Sequence, residues 1–325
     1  MNTSVSVVIP NYNGRELLES NLPSVYNALM SSGITDFEVI IPDDASNDDS
    51  VLFIRKNYPE IILVEHNVNN GFSSNTNSGI RLADKELVLI LNNDVKLTDG
   101  YFRPLLSYFG KPDTFGVMGR IMDENSEKVR DGAKFPGYSF GRIGSTLNYT
   151  SNDQTSLPSL FLSGANALIH RKKLIELGGF NELFDPYYCE DADLGLRAWR
   201  AGYKCYYEHN AVCSHPLSST IRKEPGKKVR ITARRNKMIL HYLHLDDLEL
   251  SYYLSALFLK TFFRGILFDS DHVVAWSMFR RSLRTCRASK ATFRDLCRNK
   301  NIDLSAGDIV RAIRKEIDGL VVVKF

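Results

Sequence analysis

The stretch Val5–Gly14, VSVVIPNYNG, decides the fold class of this chain. Its first half is rich in valine and isoleucine, which is typical of a buried β-strand, and its last four residues form turns. Asn13, with Glu16 three residues later, predicts a capping box at the start of a helix, and Gly33 predicts its end. The apolar face of that helix is Leu18, Leu22, Val25 and Leu29. The chain therefore begins with a strand followed directly by an amphipathic helix.

Strand and helix patterns continue to alternate along the first hundred residues. Short apolar runs predict strands at 37–41, 61–65 and 87–91, and helical spacing predicts helices at 50–57 and 71–83. This alternation indicates an α/β fold with a mostly parallel central sheet and helices on both faces. Ligands of such sheets bind beyond the carboxyl ends of the strands.

After about residue 110 the pattern becomes less regular. We expect strands at 115–122, 160–170, 204–207 and 211–214, and a long excursion rich in Gly, Ser, Asn and Asp at 123–158. A helix that buries Leu194, Ala198 and Trp199 should follow the acidic, aromatic cluster at 184–193 and stop at Gly202. From about residue 231 the sequence is helical and basic. We therefore expect an α/β domain over residues 1–228 and a helical C-terminal extension over 229–325.

Composition excludes several classes of protein. With 41 basic and 38 acidic residues the net charge is only +3, and we expect no nucleic-acid partner. Five cysteines without a C-x-x-C pair predict free thiols rather than disulfides or a zinc site. No signal peptide or membrane span is visible, which predicts a cytoplasmic location. No G-x-G-x-x-G follows the first strand and no Walker lysine occurs, so neither dinucleotide nor ATP binding is indicated.

Polar residues that could carry chemistry follow the predicted strands in four places. They are Pro10–Gly14, Asp43–Ser46, Asn92–Asp94, and Glu190–Asp193 with His215 downstream. Each cluster alone has a structural explanation, because Asp, Asn and Ser after a strand commonly make turns or cap the next helix. Their joint occurrence in this order favours a functional site.

Taken together, these motifs resemble the inverting family-2 glycosyltransferases, which have the GT-A nucleotide-sugar-binding fold. The resemblance covers residues 5–215. It includes HNVNNGFSSNTNSGI at 66–80, LILNNDV at 89–95, FLSGANALIH at 161–170 and CEDADLGLRAW at 189–199. Within the family, the sequence is most similar to the bacterial rhamnosyl- and galactofuranosyl-transferase branch.

The resemblance assigns roles to individual residues. It implies that Asp94 and His215 hold Mg²⁺ or Mn²⁺ and that Asp191 is the catalytic base, whose pKa the like charges of Glu190 and Asp193 would raise. Asn92 stands where the family usually has the first aspartate of Asp-x-Asp, and metal affinity is expected to be lower as a result. The resemblance also implies that Asp44 accepts a hydrogen bond from the pyrimidine base of the donor nucleotide. The full set expected to bind a UDP- or dTDP-linked sugar donor is Pro10, Asn11, Asn13, Asp44, Gly71, Asn77, Asn92, Asn93, Gly164 and Glu190.

Two other functions remain open alternatives. One is a catalytically silent fold-mate that binds a nucleotide sugar or glycan, although such a protein would need no base. The other is a nucleotidyltransferase, although NYNG lacks the Lys or Arg that its first loop would need. The Gln-x-x-Arg-Trp motif of processive synthases is absent, since the only glutamine is Gln154. We therefore expect single additions of sugar to a glycan or lipid-linked acceptor.

The C-terminal extension suggests where the protein acts. Residues 252–268 are mostly apolar or aromatic, with Lys260 and Arg264 four residues apart, and residues 280–300 hold eight basic residues against one acidic residue. This pattern predicts peripheral contact with the cytoplasmic face of a membrane. Packing on the catalytic domain or on a second subunit of a homo-oligomer is an equal alternative. A basic lid over the site is expected at 218–228.

Overall fold

The computed structural model describes residues 3–123, 126, 128–145, 147–153, 155–215 and 226–325. Most of the predicted lid, residues 218–225, lies outside these ranges. Within them, a ten-stranded sheet forms the centre of the molecule. The strands of its main path lie in the order Ser156–Pro158, Lys204–Ser214, Thr114–Met122, Asn166–His170, Leu87–Leu91, Ser4–Val8, Asp36–Asp43 and Ile62–Glu65.

The first half of the chain forms the parallel part of the sheet. Its strands are β1 (Ser4–Val8), β2 (Asp36–Asp43), β3 (Ile62–Glu65) and β4 (Leu87–Leu91). They are connected by the helices α1 (Arg15–Ser31), α2 (Ser50–Asn57) and α3 (Phe72–Leu82). All neighbouring pairs in this part are parallel. The α/β prediction with a mostly parallel central sheet is therefore confirmed.

The second half completes the sheet with mixed directions. After β5 (Lys96–Leu97) and α4 (Phe102–Leu106), β6 (Thr114–Met122) and β14 (Lys204–Ser214) pair in parallel. Between β4 and β6 lies β13 (Asn166–His170), which is antiparallel to both. Strands β1 to β4, β6 and β14 consequently all point the same way, and their carboxyl ends form one edge of the sheet.

Side-chain alternation along the strands divides the core in two. Val5 and Val7 of β1 join the cluster beneath α1, α2 and α4, whereas Val8 joins the cluster on the opposite face. The predicted apolar face of α1 is fully buried, and Gly33, with φ of 77°, ends the helix as expected. The predicted capping box is wrong, because the N-cap of α1 is Gly14 and no side chain caps it.

Strand boundaries in the second half differ from the predicted ones. The strand expected at 160–170 begins only at Asn166, and the two short strands expected at 204–207 and 211–214 are one strand, β14, with a bulge after Glu208. The excursion at 123–158 contains short strands of its own. These are β7 (Val129–Asp131), β8 (Ala133–Lys134), β9 (Gly137–Ser139), β10 (Arg142–Gly144), β11 (Asn148–Ser151) and β12 (Ser156–Pro158).

The remaining helices pack on the face of the sheet opposite to α1. They are α5 (Arg171–Glu176), α6 (Glu190–Arg200), α7 (Gly226–His244), α8 (Asp247–Ile266), α9 (Ser270–Asn299) and α10 (Ala306–Ile317). Residues such as Leu243, Phe279 and Ile309 belong to the same hydrophobic cluster as Val8. The last strand, β15 (Val322–Lys324), pairs with β11. The helical C-terminal extension thus shares a core with the sheet, and its boundary at 228/229 stays a prediction.

Candidate active site

The carboxyl edge of the sheet collects most of the residues singled out from the sequence. Asn11 follows β1, Asp44 follows β2, Asp94 follows β4 and His215 follows β14, all of which end at this edge. Gly164 lies there too, because it precedes the reversed strand β13. Sequence order and strand direction together are enough to bring these residues to one place.

Asp94 and His215 form a buried pair at the centre of this edge. Asp94 Oδ1 lies 2.9 Å from His215 Nε2, and the Asp94 side chain is almost completely buried. Despite this distance the two atoms are not aligned for a hydrogen bond, and neither has another partner among the described residues. A carboxylate oxygen and an imidazole nitrogen this close, with no hydrogen-bond partner for either, are placed to bind a third group together.

A divalent cation fits this pair. Adjacent ligand atoms around an octahedral ion with bonds of about 2.1 Å are about 3.0 Å apart, close to the spacing seen here. Within the described ranges, no group of three or more His, Cys, Asp or Glu residues surrounds a common point. The remaining ligands would have to be oxygens of a bound diphosphate and water, as is usual for Mg²⁺ in phosphate-binding sites. Asn92 and Asn93 lie beside the pair and are half-buried.

Side chains on the β1–β2 side of the edge bond mainly to one another. Asn11 donates to Asp43 Oδ2 at 2.8 Å and accepts from Asn93 Nδ2 at 2.8 Å, so it joins the ends of three strands. Asp43 also accepts from the backbone and hydroxyl of Ser46. Asn13, exposed and with a left-handed φ of 51°, accepts from the backbone N–H of Asn47 at 2.7 Å. Pro10 is half-buried beside them.

Asp44 holds the loop that precedes α3. Its two carboxylate oxygens accept from the backbone N–H groups of Asn70 and Gly71, at 2.8 and 2.9 Å. Gly71 has φ of 101°, and a Cβ there would lie 2.7 Å from Asp185 Oδ1 and 2.8 Å from the Cα of Pro186. Only glycine fits at this position, because both the backbone conformation and the close approach of the facing loop exclude a side chain.

Asn77 and Gly164 differ in how far the protein itself uses them. The Asn77 side chain is buried, donates to Phe180 O and to Glu182 Oε1, and accepts from Phe180 N at 2.9 Å. Its hydrogen-bonding capacity is therefore largely used inside the protein. At Gly164 a Cβ would meet only Phe72 at ordinary contact distances, so the protein itself does not require glycine there.

The acidic pair Glu190–Asp191 begins α6 and is preceded by a strained backbone. Tyr188 and Cys189, the two residues before it, both have left-handed φ values, 78° and 73°. Such conformations cost about 1–3 kcal/mol each in residues other than glycine, and they persist mostly where the fold must place a functional group. The Asp191 side chain accepts from the backbone N–H of Ala192 at 2.7 Å. Glu190 Oε2 is buried and has no hydrogen-bond partner among the described residues.

Both carboxyls of the pair are shifted toward the protonated form. Burial raises the pKa of Asp191, an effect that the Lys134 ammonium opposes and the Asp131 carboxylate reinforces. Burial and the neighbouring Asp191 charge raise the pKa of Glu190 well above its usual range. A carboxylate with a raised pKa is a better proton acceptor, which suits a general base.

Asp193 does not have the role expected of it. Burial alone would raise its pKa, but Arg197 at 2.7 Å and His244 at 2.9 Å outweigh burial and lower that pKa. Its charge is paired with Arg197 but still contributes to the raised pKa of Glu190, and burial is the main cause of the shift at Asp191. The pair with His244 instead fixes α6 against α7.

Several residues that position the acidic pair could not be identified from the sequence. Arg235 of α7 donates to the carbonyl groups of Leu183 and Asp185, and Asn236 lies within hydrogen-bond distance of three carbonyl groups in the loop at 184–188. Asp185 accepts from the backbone N–H of Ser73 at 2.8 Å and so joins this loop to the start of α3. Their partners are 48 to 112 residues away in sequence, and only the presence of Asp, Arg and Asn near a predicted site could have suggested them.

The site therefore combines the Asp94–His215 pair and a framework of loops at the carboxyl edge with a half-buried carboxyl pair of raised pKa at the start of α6. Such an arrangement can bind a phosphorylated ligand through a cation and remove a proton from a second molecule.

Comparisons with known proteins agree with this geometry. Residues 6–178 match the family described as glycosyl transferase family 2. The chain is 25% identical over 224 residues to the O-antigen chain rhamnosyltransferase of Salmonella typhimurium, covering 68% of each chain. It is 24% identical over 271 residues to the N-acetylglucosaminyl-diphospho-decaprenol L-rhamnosyltransferase of Mycobacterium tuberculosis, covering 76% of this chain and 86% of that protein.

Among solved structures, GalNAc-T7 with UDP, GalNAc and Mn²⁺ superposes with a TM-score of 0.64 at 14% identity. The match covers 97% of this chain and 56% of that one. At this identity the likeness concerns the fold alone, which is the GT-A fold expected from the sequence motifs.

Proposed function

Because the chain belongs to glycosyl transferase family 2 and is a glycosyltransferase, we propose that it transfers one sugar at a time, with inversion, from a nucleoside-diphosphate sugar to a glycan or lipid-linked glycan acceptor. The donor is UDP- or dTDP-linked, and the reaction belongs to the biosynthesis of a cell-surface polysaccharide on the cytoplasmic side. The acceptor class is supported by the relatives, of which one is named for an O-antigen chain and another for a decaprenol-linked acceptor.

The observation that carries the proposal is the buried Asp94–His215 pair with its two unbonded atoms 2.9 Å apart. These residues would hold Mg²⁺ or Mn²⁺, and the cation would supply positive charge to the departing diphosphate. One ligand is an imidazole nitrogen, a softer donor than magnesium prefers, so we expect manganese to support the higher activity.

Residues of the chain account for the second requirement of the reaction, which is removal of a proton from the acceptor hydroxyl. The Asp191 carboxylate accepts the proton of the acceptor hydroxyl as that oxygen bonds to the anomeric carbon. The bond from the anomeric carbon to the diphosphate oxygen breaks on the opposite face, and its electron pair leaves with the diphosphate. Glu190, whose pKa is raised strongly by burial and by Asp191, offers a protonated carboxyl to a hydroxyl of the donor sugar. Two neighbouring carboxyls with different protonation states can thus serve different tasks.

Donor binding rests on the framework side of the edge. Asp44 and Gly71 set the shape of the loop before α3, and Asn77 joins α3 to Phe180 and Glu182. Pro10, Asn11 and Asn13 shape the turn after β1. Asn92, Asn93 and Gly164 lie nearer to the cation-binding pair and are left to contact ribose, phosphate or sugar.

A donor screen tests the proposal directly. Purified full-length protein is incubated with UDP- and dTDP-linked sugars and Mn²⁺ or Mg²⁺, with nucleotide release as the readout and the anomeric configuration of the product determined by NMR. We expect turnover with one donor class, loss of turnover in excess chelator, recovery on adding Mn²⁺, and an inverted product. Full activity in chelator, or a retained configuration, would contradict the mechanism.

A further inference from the structure

Helix α8 presents apolar side chains on the face that points away from the protein. Leu248, Tyr252, Leu259, Phe262, Phe263 and Ile266, here called the outer stripe, recur at helical spacing and are 56–76% exposed. The opposite face of α8 packs on the core through Leu257 and Thr261. The outer stripe is therefore the largely exposed face of a helix that is anchored on its opposite side.

The turn that follows α8 adds an exposed aromatic ring in a strained conformation. Phe268 has φ of 58° and occupies the position after the helix where glycine is usual, and its side chain is 93% exposed. A bulky residue with left-handed φ is disfavoured, and an exposed phenylalanine gains nothing from the core. Neither folding nor packing explains this residue, which suggests that its ring has an external partner.

The apolar surface continues past α8 in two directions. Phe140, 55% exposed at the tip of the β9–β10 hairpin, lies 5.3 Å from Tyr252 between ring centres. On the other side, Phe258 lies 6.5 Å from Trp276 of α9. Exposed apolar residues such as Met30 and Leu52 are isolated in the sequence, and Val321, Val323 and Phe325 form a smaller exposed group around β15. A contiguous apolar patch of this kind usually marks an interaction surface.

Positive charge flanks the outer stripe. The guanidinium of Arg280 lies over the ring of Trp276 at 4.8 Å, and Arg281, Arg284 and Arg287 are exposed further along α9. No ion pair joins these four arginines to an acidic residue within the described part of the chain. Of the eight basic residues counted at 280–300, the other four are engaged elsewhere. Lys290 bonds to buried carbonyls, and Arg294, Arg298 and Lys300 form ion pairs.

Further basic residues lie around Lys260 in the middle of α8. Lys260 is exposed on α8, and its pKa is lowered by partial burial and then by the positive charges of Arg264, Arg142, Lys237 and Arg234. Arg142 and Lys237 come from the β9–β10 hairpin and from α7, whereas Arg264 and Arg234 share Asp269 in ion pairs.

We propose that the outer stripe and its flanking arginines dock the protein on an anionic lipid bilayer, with the aromatic rings inserted at the headgroup level. Apolar and aromatic side chains bordered by arginine and lysine are the composition of helices that lie in a membrane interface. A second copy of the chain is a poorer occupant, because two-fold pairing of this surface would bring its unpaired arginines close to each other. Within the described ranges, no helix combines the length and hydrophobicity needed for a membrane span. The proposal does not depend on the sugar-transfer reaction.

Vesicle flotation of the full-length protein tests the docking surface. We expect the protein to float at low salt with vesicles of phosphatidylcholine containing about one third phosphatidylglycerol, and much less with pure phosphatidylcholine or at high salt. The triple variant Leu259→Ser, Phe262→Ser, Phe263→Ser should bind the anionic vesicles at least about 10-fold more weakly. Leu52→Ser, an exposed leucine on α2, is the matched control and should bind normally.

Three outcomes would overturn the proposal. The first is failure of the unaltered protein to float with anionic vesicles, and the second is unchanged vesicle binding of the triple variant. The third is that light scattering shows a dimer for the unaltered protein and a monomer for the triple variant, while neither protein binds vesicles. Vesicles without acceptor are used, so a failed transfer assay and a failed docking assay remain distinguishable.

Phe268→Gly gives a second test in which two measurements move in opposite directions. Glycine relieves the left-handed backbone, so the melting temperature should rise, while loss of the exposed ring should weaken binding to anionic vesicles several-fold. A rise in melting temperature with unchanged vesicle binding would remove Phe268 from the docking surface.

Discussion

The two sides of the carboxyl edge use polar side chains in opposite ways. On the side of β1 and β2, Asn11 and Asp43 form a hydrogen bond with each other, and Asp44 accepts from two backbone N–H groups. On the side of β4 and β14, Asp94 and His215 leave buried atoms unbonded. The first side behaves as a framework that shapes loops, whereas the second is incomplete without a ligand. Substitutions on the two sides should therefore affect stability and activity differently.

Asp94→Ala should have the largest effect on activity. Loss of charge stabilisation at a departing diphosphate costs several kcal/mol, so kcat/KM should fall about 10³-fold or more. The free energy of unfolding should stay the same or rise, because the variant removes a buried carboxylate oxygen that no hydrogen bond stabilises. Steady-state kinetics and urea denaturation measure the two effects. Asp99→Ala, an exposed aspartate shortly after β4, is the control; a clear loss of stability in Asp94→Ala would place Asp94 in the framework instead.

Asp191→Asn should lower kcat about 10²-fold or more, since the amide keeps the shape of the side chain but cannot accept the proton. Donor binding measured by calorimetry should be nearly unchanged. Glu190→Gln keeps a hydrogen-bond donor in place and should lose less activity. If the effects of these two variants were reversed, the base would be Glu190.

Asp44→Ala tests the framework side and should show the reverse pattern from Asp94→Ala. Two backbone N–H groups, of Asn70 and Gly71, lose their acceptor, which should lower the free energy of unfolding by about 1–3 kcal/mol. The loop before α3 should then loosen and raise KM for the donor more than it lowers kcat. Asp49→Ala, exposed at the start of α2, controls for loss of charge. Unchanged stability with lost donor binding would favour direct contact between Asp44 and the nucleotide base.

Lys134→Gln should give the smallest effect, a shift in the pH profile. Because the pKa of Asp191 in the folded protein lies above its ordinary value of 3.8, its base form appears only as pH rises through that raised pKa. Lys134 opposes the shift, so its removal should move the acidic limb of kcat/KM upward by up to about one pH unit. Lys134→Arg should leave the limb in place, and a downward shift in Lys134→Gln would contradict this account.

The same shift has a consequence for stability. A folded-state pKa above the unfolded value means that the folded protein binds this proton more tightly, so the contribution of Asp191 is present at low pH and lost as pH rises through the raised pKa. At neutral pH, Asp191→Asn should accordingly be at least as stable as the unaltered protein.

The alternation of strands and helices predicted the α/β fold, and the polar residues at strand ends predicted the edge at which the site residues meet. Both depend on local patterns, namely apolar periodicity in strands such as β1 and turn residues such as those after β4. The partners of buried side chains are not local. His244, whose Nε2 lies 2.9 Å from Asp193, is 51 residues away in sequence, and Asp185 accepts a hydrogen bond from Ser73 across 112 residues. Burial, which depends on such distant contacts, is the main cause of the raised pKa of Asp191, ahead of the like charges expected from the sequence.

The contact between the loop at Gly71 and the loop at Asp185 and Pro186 also concerns the order of substrate addition. One loop belongs to the donor side and the other leads directly to Asp191, and they approach too closely at Gly71 to move independently. A donor that fixes the conformation of the loop at Gly71 therefore also fixes the position of the base, Asp191. We therefore expect ordered kinetics, with the donor bound first and the acceptor second, since the acceptor would meet a properly placed carboxylate only in the donor complex.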